Sequence, residues 1–193
     1  MKNQPSPIKE IKQLFLKRGN DEYFGEKVSQ YAHAAQTCLL AKNQGYDIEM
    51  QVAAFLHDIG HLLDPDSSDE LMENYGRKNH EELAARWLLN RGFSIKIAEM
   101  IRNHVNAKRY LTYIDSNYYY QLSVASKKTL DFQGGIMKEE EAKAFEMNPF
   151  FSQIIRMRRW DDAAKLENLE LPELDYFIKI CESLLIENFQ SNR

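Results

Sequence analysis

The sequence predicts an all-α protein, a bundle of about seven to nine helices. Apolar residues recur with a 3.6-residue period along nearly the whole chain, cap and stop signals punctuate that pattern, and no segment alternates well enough to read as a strand. Ile8, Ile11, Leu14 and Phe15 form the first stripe, ended by Gly19-Asn20, and Val28, Tyr31, Ala35 and Leu39 form the second, which stops at Gly45. Asp47 is placed to cap a helix running through Val52, Ala53 and Leu56 to Gly60. Asn79, with Glu82 three residues on, reads as a capping box ahead of Leu83, Trp87 and Leu88. Ser94 opens a helix through Ile97 and Ile101, and Asn117 to Leu130 reads as one helix closed by Gly134-Gly135. Asn148-Pro149 reads as a cap followed by proline at the first helical position, leading through Ile154, Ile155 and Met157 to Trp160. Pro172 precedes a last amphipathic stretch with Leu174, Phe177, Ile178, Cys181 and Leu185, while Asp64 to Gly76 reads as a loop with no assigned role.

A length of 193 residues suits one domain with a substantial core, and 44% hydrophobic with 28% charged residues is ordinary for a globular chain. The formal net charge of -4 argues against a nucleic-acid or anionic-membrane partner. No apolar run reaches the roughly 20 residues that span a bilayer, and residues 1–7 lack the apolar core of a secretory signal, so the cytoplasm is the expected compartment. Cys38 and Cys181 both lie in apolar helical contexts, which favours buried thiols over a disulfide.

The chemistry concentrates in histidines. All five, His33, His57, His61, His80 and His104, precede residue 105; Asp58 follows His57 directly, and Asp161 lies far downstream. Imidazoles and carboxylates are the ligands of borderline transition metals, and seven such groups suit two ions better than one. His57 and His61 share a helix face if the helix continues past Gly60; His104 and Lys108 are four apart, and Arg158 and Asp161 three apart. Each spacing sets a cation or donor one turn from a candidate ligand, and His61, Lys108 and Arg158 together would suit a doubly charged phosphoryl or phosphonyl group. Ser126, Thr129 and Gln133 make a polar stripe that could hydrogen-bond the same ligand. Each feature has a plainer reading: isolated helical histidines are commonly structural, arginine clusters are commonly solvated, and Ser126 and Thr129 could bond their own helix.

The order of a helical histidine, His-Asp, two further histidines and a distant Asp resembles the HD-domain superfamily, in its two-metal subset. The chain further resembles the mixed-valent diiron oxygenases of the PhnZ type, which cleave a carbon–phosphorus bond. The segments that carry this resemblance are Tyr23-Phe24-Gly25-Glu26, Leu56-His57-Asp58-Ile59-Gly60-His61, His104-Val105-Asn106-Ala107-Lys108-Arg109-Tyr110-Leu111, Gln133-Gly134-Gly135 and Trp160-Asp161. It implies a single HD domain over residues 1–193, with His33, His57, Asp58 and Asp161 on one iron and Asp58 bridging to a second held by His80 and His104. It also implies phosphonate contacts from His61, Lys108, Ser126 and Arg158. Tyr23 would cap an iron at rest, and Glu26 would help it swing away. The implied reaction uses dioxygen and an Fe(II)/Fe(III) pair to convert 2-amino-1-hydroxyethylphosphonate, or its N-trimethyl analogue, to phosphate and glycine, or glycine betaine. An upstream 2-oxoglutarate-dependent hydroxylase would supply the 1-hydroxy substrate. Three rivals share parts of this pattern: an HD-type phosphohydrolase on a nucleotide or phosphate ester, a polyol oxygenase, and a non-catalytic module retaining the fold. Aromatic residues that could face a quaternary ammonium are Phe24, Tyr118, Tyr119, Tyr120 and Phe132.

Overall fold

The computed structural model describes residues 6–64 and 71–191, with side chains to residue 185. Ten α-helices and one short 3₁₀ turn account for its regular structure, and no strand occurs among the described residues. In order these are α1 (Pro7–Arg18), α2 (Gln30–Asn43), α3 (Ile48–Leu56), the 3₁₀ turn (Ile59–His61), α4 (His80–Leu89), α5 (Ile95–Ile114), α6 (Ser116–Gln121), α7 (Val124–Phe132), α8 (Glu139–Glu146), α9 (Phe151–Ala163) and α10 (Leu174–Ser191). No helix is long and apolar enough to cross a membrane among the described residues.

Most of the expected punctuation is present. Gly19 ends α1, Asp47 Oδ1 accepts from Met50 N at 2.8 Å to start α3, and the Ser94 hydroxyl accepts from Ile97 N to start α5. Five details differ. The Asp47 helix stops at Leu56 instead of running to Gly60, and the chain tightens into the 3₁₀ turn. Asn79 makes no side-chain cap, so the expected capping box does not form. The span 117–130 is two helices, because Ser123 Oγ caps α7 at Ser126 N while Leu122 is extended. Asn148 Oδ1 does bond Phe150 N at 2.9 Å, but the helix begins only at Phe151, beyond Pro149. Helix α8 has no expectation behind it; a first turn of Glu139, Glu140 and Glu141 suits the positive end of its dipole. Residues 65–70 of the expected 64–76 loop lie outside the described residues.

Helix α5 is the axis of the packing, with α3, α4 and α9 against it, and α2 lies across α3 and α9. The buried faces of α2 and α3 are built from small side chains, Ala34, Ala35, Cys38 and Ala41 on one and Ala53 and Ala54 on the other, so their backbones come close. Phe55 is sandwiched between Phe15 (centroids 4.7 Å apart) and Phe177 (5.0 Å), which fastens α1 and α10 to the back of α3. Both cysteines are buried and unpaired, as expected. The lower half of this bundle is apolar. The buried polar groups gather instead where α2, the 3₁₀ turn, α4, α5 and α9 meet.

Candidate metal centre and anion cleft

Backbone carbonyls sort the histidines. His33 Nδ1 donates to Ala164 O (2.9 Å), His57 Nδ1 to Ala54 O (2.8 Å), His80 Nδ1 to Arg77 O (3.0 Å) and His104 Nδ1 to Ile101 O (2.7 Å). A ring whose Nδ1 carries the proton presents a lone pair at Nε2, the preparation a metal ligand needs. His61 is the exception, because its Nδ1 faces a donor, Arg77 N–H at 3.4 Å. The proton of neutral His61 then belongs on Nε2, which makes that nitrogen a hydrogen-bond donor and not a lone pair for a metal.

The four prepared nitrogens fall into two pairs, His33 Nε2–His57 Nε2 and His80 Nε2–His104 Nε2, each 3.1 Å apart. Asp58 stands between the pairs. Its Oδ2 lies 3.3 Å from His57 Nε2 and 3.7 Å from His33 Nε2, and its Oδ1 lies 3.2 Å from His80 Nε2 and 3.4 Å from His104 Nε2. Asp161 closes the first group, with Oδ1 3.3 Å from His33 Nε2. All six sequence-expected ligands therefore converge, Asp58 with one oxygen toward each pair.

These groups fit a pair of cations. Buried Asp58 Oδ1 has no hydrogen-bond partner among the described residues, although it faces two imidazoles. Two carboxylates and four imidazoles at such distances need positive charge, and the protein alone finds it in protons. Burial opposes a charge on His57, yet Asp58 and Asp161 raise its pKa to about 9. Burial also opposes ionisation of Asp58, but His57, His104 and His80 hold it well below the usual carboxylate range. For Asp161, burial is likewise overcome by Arg158 and His33. A metal would take the place of those protons.

The close approach around the cluster depends on Gly60. A Cβ there would stand 2.0 Å from the His80 carbonyl oxygen, so only glycine lets the 3₁₀ turn lie against the start of α4. That contact stacks the His61 ring on His80, centroids 3.9 Å apart. His57 and His61 do not share a helix face, contrary to the sequence expectation, because α3 has already ended. Burial, then His80, holds His61 well below its ordinary pKa, which keeps it neutral.

A cleft opens over the cluster, walled by Tyr23, Phe24 and Tyr75 on one side and by α7 and the end of α9 on the other. Tyr23 stacks on His33 (3.9 Å), and its hydroxyl donates to Asp58 Oδ2 at 2.8 Å. Burial and then Asp58 raise the phenol pKa well above 10, so it stays protonated as a donor. The turn that presents it is tight: Glu26 N bonds Tyr23 O at 2.8 Å, with positive φ at Phe24 (25°) and Gly25 (81°). Lys108 Nζ donates to Thr129 Oγ1 at 2.8 Å, and Gln133 lines the cleft with a buried Oε1 that has no partner among the described residues. Arg158 also lines it, but the guanidinium is already engaged by Asp161 (2.6 Å), by Asp162 and by the Tyr118 hydroxyl (3.1 Å). Its first role is to hold the Asp161 carboxylate in place, which leaves only part of its N–H set uncommitted.

Sequence reasoning missed Lys165, Ser123, Met72 and Tyr75. Lys165 Nζ pairs with Glu26 Oε1 at 2.7 Å and reaches Ser126 Oγ at 3.1 Å. Its position after Ala164, just beyond a candidate ligand's helix, was the available signal. Of the aromatics considered, Phe24 lines the cleft, Tyr118 holds Arg158, and Tyr119 and Tyr120 are exposed.

A model described as the HD domain matches residues 30–148, a span that holds His33, His57, Asp58, His80 and His104. The chain belongs to the HD-domain family. It is 37% identical over 186 residues to a hydroxymethylphosphonate dioxygenase of Gimesia maris, covering 93% of this chain and 90% of that one. It is 36% identical, over 95% of this chain and 92% of the other, to the [1-hydroxy-2-(trimethylamino)ethyl]phosphonate dioxygenase (glycine-betaine-forming) of Leisingera caerulea. An uncharacterized protein of Acanthamoeba polyphaga mimivirus is 36% identical over 94% of this chain and 83% of its own. Within the HD-domain family the chain is an oxygenase of the PhnZ type.

Proposed function

We propose that this HD-domain oxygenase is an iron enzyme that uses dioxygen to cleave the carbon–phosphorus bond of a 1-hydroxyphosphonate. The substrate is 2-amino-1-hydroxyethylphosphonate or its N-trimethyl analogue, and the products are phosphate and glycine or glycine betaine. The observation that carries the reading is Asp58, one oxygen toward each histidine pair, beneath a cleft lined by cations. Two relatives named as phosphonate dioxygenases support the chemistry. The balance is simple: one oxygen atom of dioxygen goes to the new carboxylate and one to phosphate, with one proton released.

His33, His57, Asp58 and Asp161 would hold one iron, and Asp58, His80 and His104 the other. When bound, the pair supplies the redox chemistry toward dioxygen. The protein's own residues do the rest. Lys108, the Nε2–H of His61 and the remaining N–H groups of Arg158 receive the phosphonate oxygens, with Ser126 and Thr129 beside them. The Gln133 amide faces the remainder of the substrate. Tyr23 occupies the space above Asp58 at rest and must leave it as substrate enters, so its hydroxyl protects the cluster from solvent. The 1-hydroxyl requires a preceding hydroxylation, which we assign to a 2-oxoglutarate-dependent hydroxylase working in the same cytoplasm.

The test is oxygen consumption and phosphate release by iron-loaded protein with both 1-hydroxyphosphonates. Equal uptake of oxygen and release of phosphate is expected, and substitution of His80 or Asp58 should abolish both. Phosphate released from a phosphate ester without oxygen would make the protein a hydrolase and end this reading.

A further inference from the structure

The ion pair between Glu26 and Lys165 has no part in holding the cluster. Both side chains are mostly buried, at 14% and 15% exposed, and both line the cleft. Lys165 Nζ also contacts Ser126 Oγ (3.1 Å) and Ser123 Oγ (3.3 Å). One helical turn along α7, Thr129 Oγ1 holds the ammonium of Lys108 at 2.8 Å. Two lysines thus converge on neighbouring hydroxyls of one helix face, Lys108 from α5 and Lys165 from the segment after α9. A tetrahedral dianion with three oxygens matches that arrangement. Three carboxylates line the cleft; Asp58 and Asp161 belong to the cluster, which leaves Glu26 as the local counter-ion of Lys165.

We propose that Lys165 is a second phosphonate-binding lysine, kept in reserve by Glu26. The entering phosphonate takes over the Lys165 ammonium opposite Lys108 and Ser126, and Glu26 is released. This rests on the phosphonate reading above. Glu26 also closes the turn that carries Tyr23, through Glu26 N to Tyr23 O at 2.8 Å. Losing its lysine leaves the Glu26 carboxylate accepting from the Ser123 hydroxyl, on the same turn that must move for Tyr23 to leave Asp58.

The experiment is a calorimetric titration of iron-loaded protein with methylphosphonate under argon. Lys165→Met should weaken binding by about tenfold or more, and Glu26→Gln should tighten it several-fold, because one variant removes the anchor and the other frees it. Lys165→Arg should bind close to wild type. The double variant decides the cause: the gain from Glu26→Gln should vanish once Lys165 is methionine. A gain that persists there is the bare removal of a negative charge and overturns the proposal, as do two single variants that shift binding in the same direction. Melting curves identify any variant that has lost its fold, in which case Lys165→Gln replaces Lys165→Met. Wild-type protein that fails to bind methylphosphonate would overturn the phosphonate reading itself; binding with the wrong pattern among variants overturns only the role of Lys165.

Discussion

At Lys108, an ammonium group with one hydroxyl partner is buried near the guanidinium of Arg158. Burial first, and Arg158 second, bring its pKa from 10.5 down to about 7. The unfolded chain keeps the ordinary value, so between the two pKa values the unfolded state holds a proton that the folded state has lost. Stability from this residue therefore rises with pH from about 7 to about 10.5, and below that window the full cost of the buried charge is present. Lys108→Met should remove the slope and raise stability most at the acid end, measured by urea unfolding at about pH 6 and about pH 9. The same variant should lose anion affinity, which is the usual exchange of function against stability. An equal urea midpoint shift at both pH values would show that Lys108 is not buried as a charge. The histidines show the same economy of design. Four rings face carbonyls and one faces an amide, so neighbouring backbone groups, and not the rings themselves, divide the four candidate ligands from the one ring left with a donor at Nε2.

Among the elements, the 3₁₀ turn does most to bring distant residues together. It ends α3, turns Asp58 between the two histidine pairs and lays Gly60 on the first residue of α4. Gly60→Ala must push α4 away, because the atom it meets is backbone and cannot rotate aside. We expect a loss of about 1–3 kcal/mol of stability, the scale of overpacking a rigid contact. Weakened metal retention at the His80 and His104 pair should accompany it, while the His33 and His57 pair is less affected. Metal analysis of the purified variant checks this, and full occupancy with unchanged stability would rule it out. This turn also marks where the sequence stops being legible. Helical period, caps at Asp47 and Ser94, and the six candidate ligands are local or motif-bound, so they can be read from residue types. The end of α3 cannot, because Leu56-His57-Asp58 suits a helix and the 3₁₀ turn that follows lies against α4, a contact distant in sequence. The break at Leu122 is a similar case: Ser123 is an adequate helix interior residue until its hydroxyl caps α7 and reaches Glu26. Lys165 was hidden for a different reason, since its partner is 139 positions away in sequence.

For the molecule as a whole, the cluster is where α2, the 3₁₀ turn, α4, α5 and α9 are joined, so metal and fold stability are linked. In the metal-free protein, burial disfavours a charged His57, but Asp58 and Asp161 win and raise its pKa to about 9. That proton stabilises the metal-free fold fully below the unfolded value near 6.5, and its contribution is lost as pH rises through about 9. A metal must displace the same proton, so apparent metal affinity should fall by about tenfold per pH unit below about 9. Chelation should therefore lower the melting temperature, and the gap between loaded and stripped protein should widen toward alkaline pH. Scanning both forms across that range tests the linkage; a constant gap would mean that His57 is not part of the metal site. The exit of α9 concentrates these dependences in one short stretch of backbone. Asp161 faces the His33–His57 pair, the Ala164 carbonyl fixes the His33 ring, and Lys165 meets Glu26 across the cleft, all within five consecutive residues. A single residue inserted between Asp161 and Ala164 would leave Asp161 in place while shifting the Ala164 carbonyl and Lys165 out of register. In this architecture, chemistry can be erased at that joint without unfolding the protein, so chain length between Trp160 and Leu166 is a better guide to retained activity than overall sequence identity.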